Sequence, residues 1–331
     1  MRCIDRTRTM TAICIAASVL LASGCSGKPV TSVTEYETAV YNANLREETL
    51  YAEKLCVAQE AVNLEEFSGD ESLHAAALFD LAEEKVLYSY KIHEKLYPAS
   101  VTKIMTALLA LENGNLSDKV TISSTADAGA FPAGAQLCGL QEGEQWTLED
   151  LLNALLLYSG NDAGEAIAEH IAGSSEAFVA MMNHRAQELL ANNTHFMNAH
   201  GLHDKNHYTT AYDVYLIFNE CIKNEHFVDI IQSESYTASY IKANGEKGEK
   251  TFTPTNYYAK GIAEQPGNVK VIGGKTGTTP EAGNCLVLLE KDDAGQPYVS
   301  VVMGAPDKSV LYADMTKLIR AIPDDAASGE E

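Results

Sequence analysis

Apolar and polar residues alternate with the period of a β-strand in two regions of the chain, one near each end. The stretch HAAALFDLAEEKVLYSYK, residues 74–91, predicts two short strands joined by a turn. Two later runs, NVKVIGGKTGTT at residues 268–279 and NCLVLLEKDDAGQPYVSVVMGA at residues 284–305, predict further strands, the second run folding around an Asp-Ala-Gly turn. Strands contributed by both ends of the chain predict one antiparallel sheet.

Helical spacing dominates between these regions, over about residues 115–255. The stretch TLEDLLNALLLYSG has a near-continuous leucine face, and its Thr147 with Asp150 three residues later resembles a capping box. Another helix is predicted to start at Pro98, amphipathic helices are predicted at residues 174–191 and 210–222, and a closing helix is predicted at residues 307–322. The pattern predicts an α/β (α+β) fold, with helices packed on the sheet and a mainly helical subdomain beside it.

The first residues have the pattern of a targeting segment. Three arginines precede residues 10–22, an apolar run of 13 residues that is too short to span a bilayer but suits a signal-peptide core. The following LLASGCSGK resembles a bacterial lipobox, which implies that residues 1–24 are a lipoprotein signal peptide and that Cys25 becomes lipidated. The alternative is an ordinary cleaved signal in which Cys25 is incidental.

Composition divides the rest of the chain. Residues 25–70 are acidic and weakly patterned, as expected of a tether or N-terminal extension, and residues 323–331 form a polar tail. The patterned residues 71–322 are predicted to form the folded domain. The formal net charge of −22 argues against nucleic-acid binding, which needs a basic face.

The cysteines after Cys25 are widely scattered, at positions 56, 138, 221 and 285. Their spacing indicates neither a zinc site nor a dense disulfide framework. Buried free thiols are the simpler interpretation, although one or two disulfides stay open at this point.

A polar pair opens the apolar helix LYPASVTKIMTALLALENG. Ser100 and Lys103 are three residues apart, so they share one helical face. A serine hydroxyl is a poor nucleophile until a base takes its proton, and a buried lysine has a lowered pKa that suits it as that base. The alternative for the pair alone is a helix cap beside a surface lysine. The same spacing recurs at Ser239 and Lys242, in a polar stretch to which no function is assigned.

Two more short motifs carry polar groups into apolar surroundings. Ser159 and Asn161 interrupt a leucine-rich helix, where the hydroxyl could relay a proton and the amide could bind a substrate backbone. The segment Lys275-Thr276-Gly277 ends a predicted strand that a substrate peptide could extend, with a cation and a hydroxyl for a terminal carboxylate. The alternatives are a capped helix–helix turn and a hairpin turn with a solvent-facing lysine.

Ser-x-x-Lys, Ser-x-Asn and Lys-Thr-Gly occur here in the order found in penicillin-recognising serine enzymes. The surrounding segments YPASVTKIMTALLALE, LLLYSGNDAGEAIAEHIAG, NAHGLHDKNHYTTAYD and GGKTGTTPEAGNCLVLL resemble the D-alanyl-D-alanine carboxypeptidases, the low-molecular-mass penicillin-binding proteins. The resemblance covers about residues 75–305. It implies a β-lactamase/DD-peptidase-like fold, with residues 71–322 as the catalytic domain.

The family's functional positions fall on catalytic Ser100, Lys103 and Ser159 and on substrate-binding Asn161, Lys275, Thr276, Gly277 and Thr278. The resemblance implies that Ser100 attacks the bond between two D-alanines of a peptidoglycan stem peptide while Lys103 takes its proton. Ser159 then passes a proton to the leaving amine, Asn161 holds the substrate, and Lys275 with Thr276 anchors its carboxylate. The backbone N–H groups of Ser100 and Thr278 would form the oxyanion hole.

The family resemblance implies inhibition by β-lactam antibiotics and no metal or organic cofactor. The lipobox-like segment adds the expectation of an extracytoplasmic enzyme held at the membrane by a lipid on Cys25. Two alternative functions share the motifs. One is a serine β-lactamase, for which residues 188–192, ELLAN, offer only an imperfect Glu-x-x-Leu-Asn motif. The other is a non-catalytic envelope protein with the same fold. A rival metal site would use His200, His203, Asp204 and His207.

Overall fold

The computed structural model describes residues 55–57, 61–63 and 72–323, and the compact unit that contains them begins at Leu55. The predicted signal peptide at residues 1–24, the lipidation site Cys25 and the tail from residue 324 onward lie outside the described residues. Over the described ranges, no helix has the length and apolar character needed to cross a membrane.

The strands, in chain order, are β1 (Ala75–Asp80), β2 (Lys85–Tyr90), β3 (Lys119–Thr121), β4 (Gln145–Thr147), β5 (Tyr236–Ile241), β6 (Lys247–Phe252), β7 (Val269–Thr279), β8 (Gly283–Asp292) and β9 (Pro297–Ala305). The helices are α1 (Lys103–Asn113), α2 (Leu148–Asn153), α3 (Asn161–Ala172), α4 (Ser175–Glu188), α5 (Ala211–Cys221), α6 (Glu225–Gln232) and α7 (Lys308–Arg320). A 3₁₀ turn, Ala99–Thr102, precedes α1, and a π-helical turn, Ala154–Tyr158, follows α2.

The main sheet has the strand order β2-β1-β9-β8-β7 and is antiparallel throughout. This confirms the predicted sheet built from both ends of the chain. Its central strands are apolar on both faces because each face is covered. One face packs on the helical layer that includes α1 and α5, and the other packs on α7. The alternation of side chains along each strand therefore decides which layer a residue enters.

A second sheet, with the order β3-β4-β5-β6, lies within the part of the chain predicted as mainly helical. That prediction missed these strands because they are short and rich in exposed polar residues, and because β4 meets β5 only through the tertiary fold. Ser239 lies on β5 and is exposed. Because its segment is a strand, Ser239 and Lys242 do not share a helical face as Ser100 and Lys103 do.

The predicted helices are present with small changes in their ends. Thr147 and Asp150 form the predicted capping box at the start of α2, and Ser174, Thr210 and Asp307 cap α4, α5 and α7. The four cysteines of the described residues are buried free thiols, which confirms the simpler interpretation of their spacing.

Two described residues of the segment predicted as a tether, Cys56 and Val62, form hydrogen bonds with residues of the folded domain. Cys56 is buried, its backbone N–H donates to the Tyr215 hydroxyl at 2.9 Å, and its carbonyl accepts from the Tyr212 hydroxyl at 2.9 Å. Farther along, Val62 exchanges hydrogen bonds with Ser89 on the edge strand β2. Cys56 therefore contacts α5, and Val62 contacts the main sheet.

One carboxyl group is enclosed between the main sheet and α7. Glu290 on β8 is fully buried and pairs with Tyr298, whose ring belongs to the α7-side core. Within the described residues, neither carboxyl oxygen of Glu290 has a hydrogen-bond partner. The nearby Ser300 lowers the pKa of Glu290, but its effect is smaller than that of burial. Desolvation dominates and raises the pKa of Glu290 well above its ordinary range, so the neutral acid is the form that fits this core.

We expect Glu290 to make the protein less stable as pH rises. A raised folded-state pKa leaves stability intact below the unfolded pKa and removes it as pH climbs toward the folded value, by at most about 1.4 kcal/mol per pH unit. Chemical denaturation between about pH 5 and 9 should therefore show a steeper loss of unfolding free energy for the wild type than for Glu290→Gln. Glu281→Gln, at an exposed position, is the control. Parallel pH curves for wild type and Glu290→Gln would contradict this account.

Candidate active site

Ser100 lies in the 3₁₀ turn that leads into α1. Pro98 precedes this turn, and Ala99 has a left-handed backbone with φ of 47°, a costly conformation for a residue other than glycine. Gly201, with φ of 88°, packs directly on the Ala99 carbonyl, which a side chain at position 201 would overlap. The backbone around Ser100 is therefore held in a strained shape by close packing from a distant loop.

The side chain of Lys103 is completely buried behind Ser100. Its Nζ lies 2.8 Å from Ser100 Oγ, 2.7 Å from Asn161 Oδ1 and 2.5 Å from the carbonyl oxygen of His200. The amide oxygen and the carbonyl oxygen can only accept hydrogen bonds. A neutral amine would donate its two N–H bonds to those acceptors and leave its lone pair facing the Ser100 hydroxyl.

Burial is the main cause that lowers the pKa of Lys103 well below its usual range, and the charge of Lys275 acts in the same direction. The Cys138 thiol and the Asp162 carboxylate raise the pKa of Lys103, but their effects are smaller than those of burial and of Lys275. The site therefore favours the neutral amine, which is the form that can accept a proton from a serine.

Ser159 and Asn161 enter the site from the junction between α2 and α3. The π-helical turn after α2 ends at Tyr158, the next residue Ser159 has a left-handed backbone with φ of 69°, and α3 begins at Asn161. Gly160 between them packs on Cys138 so closely that an added side chain would overlap the thiol. Both polar side chains are nearly enclosed, with 5 % of Ser159 and 3 % of Asn161 exposed.

Asp162 fixes the loop that faces this junction. It is fully buried, and its carboxylate accepts hydrogen bonds from the backbone N–H groups of Cys138, Gly139 and Leu140 at 2.7–3.0 Å. The preceding residues of the same loop line one side of the site. Sequence reasoning missed Asp162, because nothing in the local pattern links it to backbone donors more than 20 residues earlier.

Lys275 on β7 lies behind Ser159 and is fully buried. Its Nζ donates to Ser159 Oγ at 2.9 Å and to the carbonyl of Thr276 at 3.0 Å. Desolvation lowers the pKa of Lys275 to about 7. Two buried amines thus stand behind two hydroxyls, Lys103 behind Ser100 and Lys275 behind Ser159.

Gly277 brings strand β7 against the turn that carries the nucleophile candidate. A Cβ placed on Gly277 would lie 2.8 Å from the Pro98 carbonyl oxygen and 3.1 Å from the Ser100 nitrogen. A larger residue would push the strand away from Ser100. The following residue Thr278 is exposed, and its hydroxyl donates to Asn284 Oδ1 at 3.1 Å.

A cavity of about 370 Å³ opens over these groups. Of the eight predicted site residues within the described part, six line it: Ser100, Ser159, Asn161, Thr276, Gly277 and Thr278. Lys103 and Lys275 reach it only through the hydroxyls they contact. The sequence also gave no signal for Thr255, whose hydroxyl lies 2.6 Å from that of Thr276, or for Gly201, which both line the cavity.

The histidine-rich segment does not form a metal site. Within residues 72–323, no group of three or more His, Cys, Asp and Glu side chains could hold a metal ion. Burial lowers the pKa of His200 to about 3 and that of His207 to about 4. His207 Nε2 lies 2.8 Å from the Thr102 hydroxyl, and His203 packs edge-on against Tyr97, so both contact the region around Ser100.

Solved structures share this architecture. The crystal structure of the Streptomyces K15 DD-transpeptidase matches with a TM-score of 0.70 and 27 % identity, covering 77 % of this chain and 98 % of that one. Penicillin binding protein 5 from Haemophilus influenzae matches with a TM-score of 0.66 and 29 % identity, over 77 % of this chain and 71 % of that one. These matches confirm the predicted DD-peptidase-like fold class.

Curated proteins match the same part of the chain. D-alanyl-D-alanine carboxypeptidase DacF of Bacillus subtilis is 38 % identical over 250 residues, which cover 74 % of this chain and 60 % of DacF. D-alanyl-D-alanine carboxypeptidase DacC of Escherichia coli is 34 % identical over 249 residues, or 73 % of this chain and 59 % of DacC. The chain thus spans about 60 % of the length of these relatives. The model of the D-alanyl-D-alanine carboxypeptidase family matches residues 64–307, and the chain belongs to this family.

Proposed function

We propose that the protein is a serine-type D-Ala-D-Ala carboxypeptidase, which removes the terminal D-alanine from peptidoglycan stem pentapeptides through an acyl-enzyme on Ser100. The observation that carries the proposal is the buried amine of Lys103, 2.8 Å from Ser100 Oγ and otherwise bonded to acceptors. This arrangement supplies a nucleophile and its base at the floor of a cavity.

In the acylation step, the Lys103 lone pair takes the Ser100 proton while Oγ attacks the carbonyl between the two D-alanines. The negative charge on the former carbonyl oxygen is met by the backbone N–H groups of Ser100 and Thr278, which act as preorganised donors. The close packing of Gly277 on the Ser100 nitrogen supports this pairing. Because β7 is an edge strand, a substrate peptide can add along it with main-chain hydrogen bonds.

The leaving D-alanine needs a proton on its nitrogen when the peptide bond breaks. Ser159 can deliver it, because its hydroxyl faces the cavity and is coupled to the Lys275 amine behind it. The side-chain oxygen of Asn161 accepts a hydrogen bond from Lys103. The side-chain NH₂ of Asn161 is then available to donate to a substrate carbonyl. Thr276 offers a hydroxyl to the substrate carboxylate, and Lys275 adds positive potential from behind Ser159.

Water then hydrolyses the ester on Ser100. No Asp or Glu lines the cavity among the described residues, so no carboxylate is placed to activate water rapidly. Glu188 from the imperfect β-lactamase motif pairs with Arg185 at 3.2 Å and borders a separate depression between α1 and α4. We infer that β-lactams acylate Ser100 and leave it slowly, which favours a carboxypeptidase over a β-lactamase.

The protein is further proposed to act outside the cytoplasmic membrane, with residues 1–24 as its signal peptide and Cys25 as its lipid anchor. Residues 71–322 are proposed as the catalytic domain, between an N-terminal extension at residues 25–70 and a polar tail. The stem-peptide substrate lies outside that membrane, which supports this location.

The nucleophile assignment predicts that fluorescent penicillin labels the wild type and not Ser100→Ala. Ser239→Ala is the matched control, because Ser239 has the same spacing to a lysine but lies exposed on β5. Intact-mass analysis should show one adduct per chain in the wild type and in the control. Release of D-alanine from a stem pentapeptide should follow the same pattern. A wild type that never acylates would favour the non-catalytic envelope protein.

The coupling of the two buried lysines predicts a shift in the pH profile of acylation. Lys103 must be neutral to accept a proton, so the rate falls as pH drops through its pKa. The charge of Lys275 lowers that pKa, and Lys275→Gln should therefore raise it and move the acid limb to higher pH. Stopped-flow acylation rates locate the acid limb of the pH profile even if the substitution lowers the maximum rate. Lys270→Gln, exposed on the same strand, should leave the limb in place. An unmoved limb in Lys275→Gln would contradict the coupling.

Lipidation at Cys25 predicts that the full-length protein sediments with membranes and incorporates labelled palmitate. Cys25→Ser should lose the label and appear in the soluble extracytoplasmic fraction. Equal membrane association of both forms would instead show that Cys25 is not the anchor.

A further inference from the structure

The histidine-rich segment contributes a buried ring to the turn that carries Ser100. His207 is 2 % exposed, and burial is the main cause that lowers its pKa to about 4, so the ring is neutral at neutral pH. Its two nitrogens contact separate parts of the fold. Nδ1 lies 3.2 Å from the backbone nitrogen of Met197, and Nε2 lies 2.8 Å from the hydroxyl oxygen of Thr102.

The hydrogen bonds around this ring can run in only one direction. A backbone N–H only donates, so Met197 donates to Nδ1, and the hydrogen of the neutral ring is then on Nε2. The Thr102 hydroxyl lies 2.8 Å from the Ala99 carbonyl oxygen, which can only accept. Because a hydroxyl has one hydrogen, Thr102 donates it to Ala99 and accepts from His207. Both ends of this His207–Thr102 chain therefore require the Nε2–H tautomer.

The carbonyl at the end of this chain belongs to the peptide bond that also contains the N–H of Ser100. This peptide bond is trans, so its C=O and its N–H point in opposite directions and rotate together. The Ser100 nitrogen faces strand β7, because a Cβ on Gly277 would lie 3.1 Å from it, and both residues line the cavity. A donor held on the Ala99 carbonyl therefore helps to fix the direction in which the Ser100 N–H points.

The local backbone does not favour this orientation by itself. Ala99 has φ of 47°, an unfavourable conformation for a residue with a Cβ, and its relaxation would rotate the peptide plane that follows it. Gly201 packs on the Ala99 carbonyl, and Thr102 holds the same carbonyl by a hydrogen bond. Through Thr102, His207 therefore stabilises a strained conformation directly before the nucleophile candidate.

We propose that His207 is a positioning residue for acylation, which aims the Ser100 N–H at the developing oxyanion by acting through Thr102. This inference rests on the proposed function of the same cavity, in which that N–H is one of two oxyanion donors. His207 contacts neither the substrate nor the reacting atoms, and it exchanges no proton with them. Because an oxyanion donor acts when charge develops on the carbonyl oxygen, the chain should affect the acylation rate and leave initial binding unchanged.

Stopped-flow acylation by a chromogenic β-lactam separates the initial binding constant from the acylation rate constant. His207→Leu should lower the rate constant by about 10- to 100-fold, less than the loss of about 10²–10³-fold that follows removal of an oxyanion donor, and leave the binding constant within about twofold. His207→Gln, whose amide can accept from Met197 and donate to Thr102, should recover most of the rate. His195→Leu, at a half-buried histidine that contacts the Asn206 carbonyl instead, should react as the wild type.

A double-mutant cycle tests whether the two residues act in series. Thr102→Val removes the hydroxyl with little change in volume, and Thr102→Ser retains it. Thr102→Val should slow acylation by a factor similar to that of His207→Leu, and Thr102→Ser should stay near the wild type. The double variant His207→Leu/Thr102→Val should be no slower than Thr102→Val alone, because His207 then has nothing left to act through. Losses that multiply, or an unchanged rate in His207→Leu, would overturn the inference while leaving the proposed function intact.

Nitrogen-15 NMR of histidine-labelled protein gives a readout that needs no catalysis. The resonances absent from His207→Gln identify the ring, which should be the Nε2–H tautomer at neutral pH. The Nδ1–H tautomer would reverse the chain and overturn the inference at any acylation rate. If His207→Leu does not fold, the comparison of Thr102→Val with Thr102→Ser and the tautomer still decide. A wild type that is never acylated overturns the proposed function itself, and with it the role of the chain in acylation.

Discussion

An amine that has lost all contact with water needs partners, and the site is built around that need. Lys103 satisfies it with oxygens from Ser100 in its own turn, Asn161 at the start of α3 and His200 in a distant loop. Removing any of these partners would leave a buried polar group unpaired, at a cost of about 1–3 kcal/mol. The same burial that makes Lys103 costly to fold also holds its pKa low through desolvation, which suits it to the proposed role of base. Stability and chemistry are therefore two consequences of one interaction.

The main sheet places the second half of the site against the first. Strand β7 is the sheet edge, and Gly277 allows it to lie on the turn that carries Ser100. Alternation along this strand then sends Lys275 toward Ser159 and sends Thr276 toward α7. A single strand thus places a buried amine behind Ser159 from one face and the Thr276 hydroxyl at the cavity from the other.

The sheet and the long helices could be predicted because their signals are local: period-two alternation at both ends, and capping residues such as Thr147 before leucine-rich runs. The small sheet could not, since β6 reads as the polar run KGEKTF and its neighbours are paired only by the tertiary fold. The site residues could be predicted from the order of the three short motifs and from the family resemblance of the segments around them. The buried placement of Lys275, the loop held by Asp162 and the carbonyl of His200 depend on contacts between distant segments, for which one sequence carries no signal.

The central claim is that Lys103 is a neutral amine in the resting protein, and its protonation state can be measured. Nitrogen-15 NMR of lysine-labelled protein reports the charge of each Nζ, and the resonance absent from Lys103→Arg identifies Lys103. The account predicts a neutral-amine chemical shift at neutral pH that changes to that of an ammonium only under acidic conditions. An ammonium shift that persists from about pH 6 to pH 9, as for an ordinary lysine with a pKa near 10.4, would contradict it.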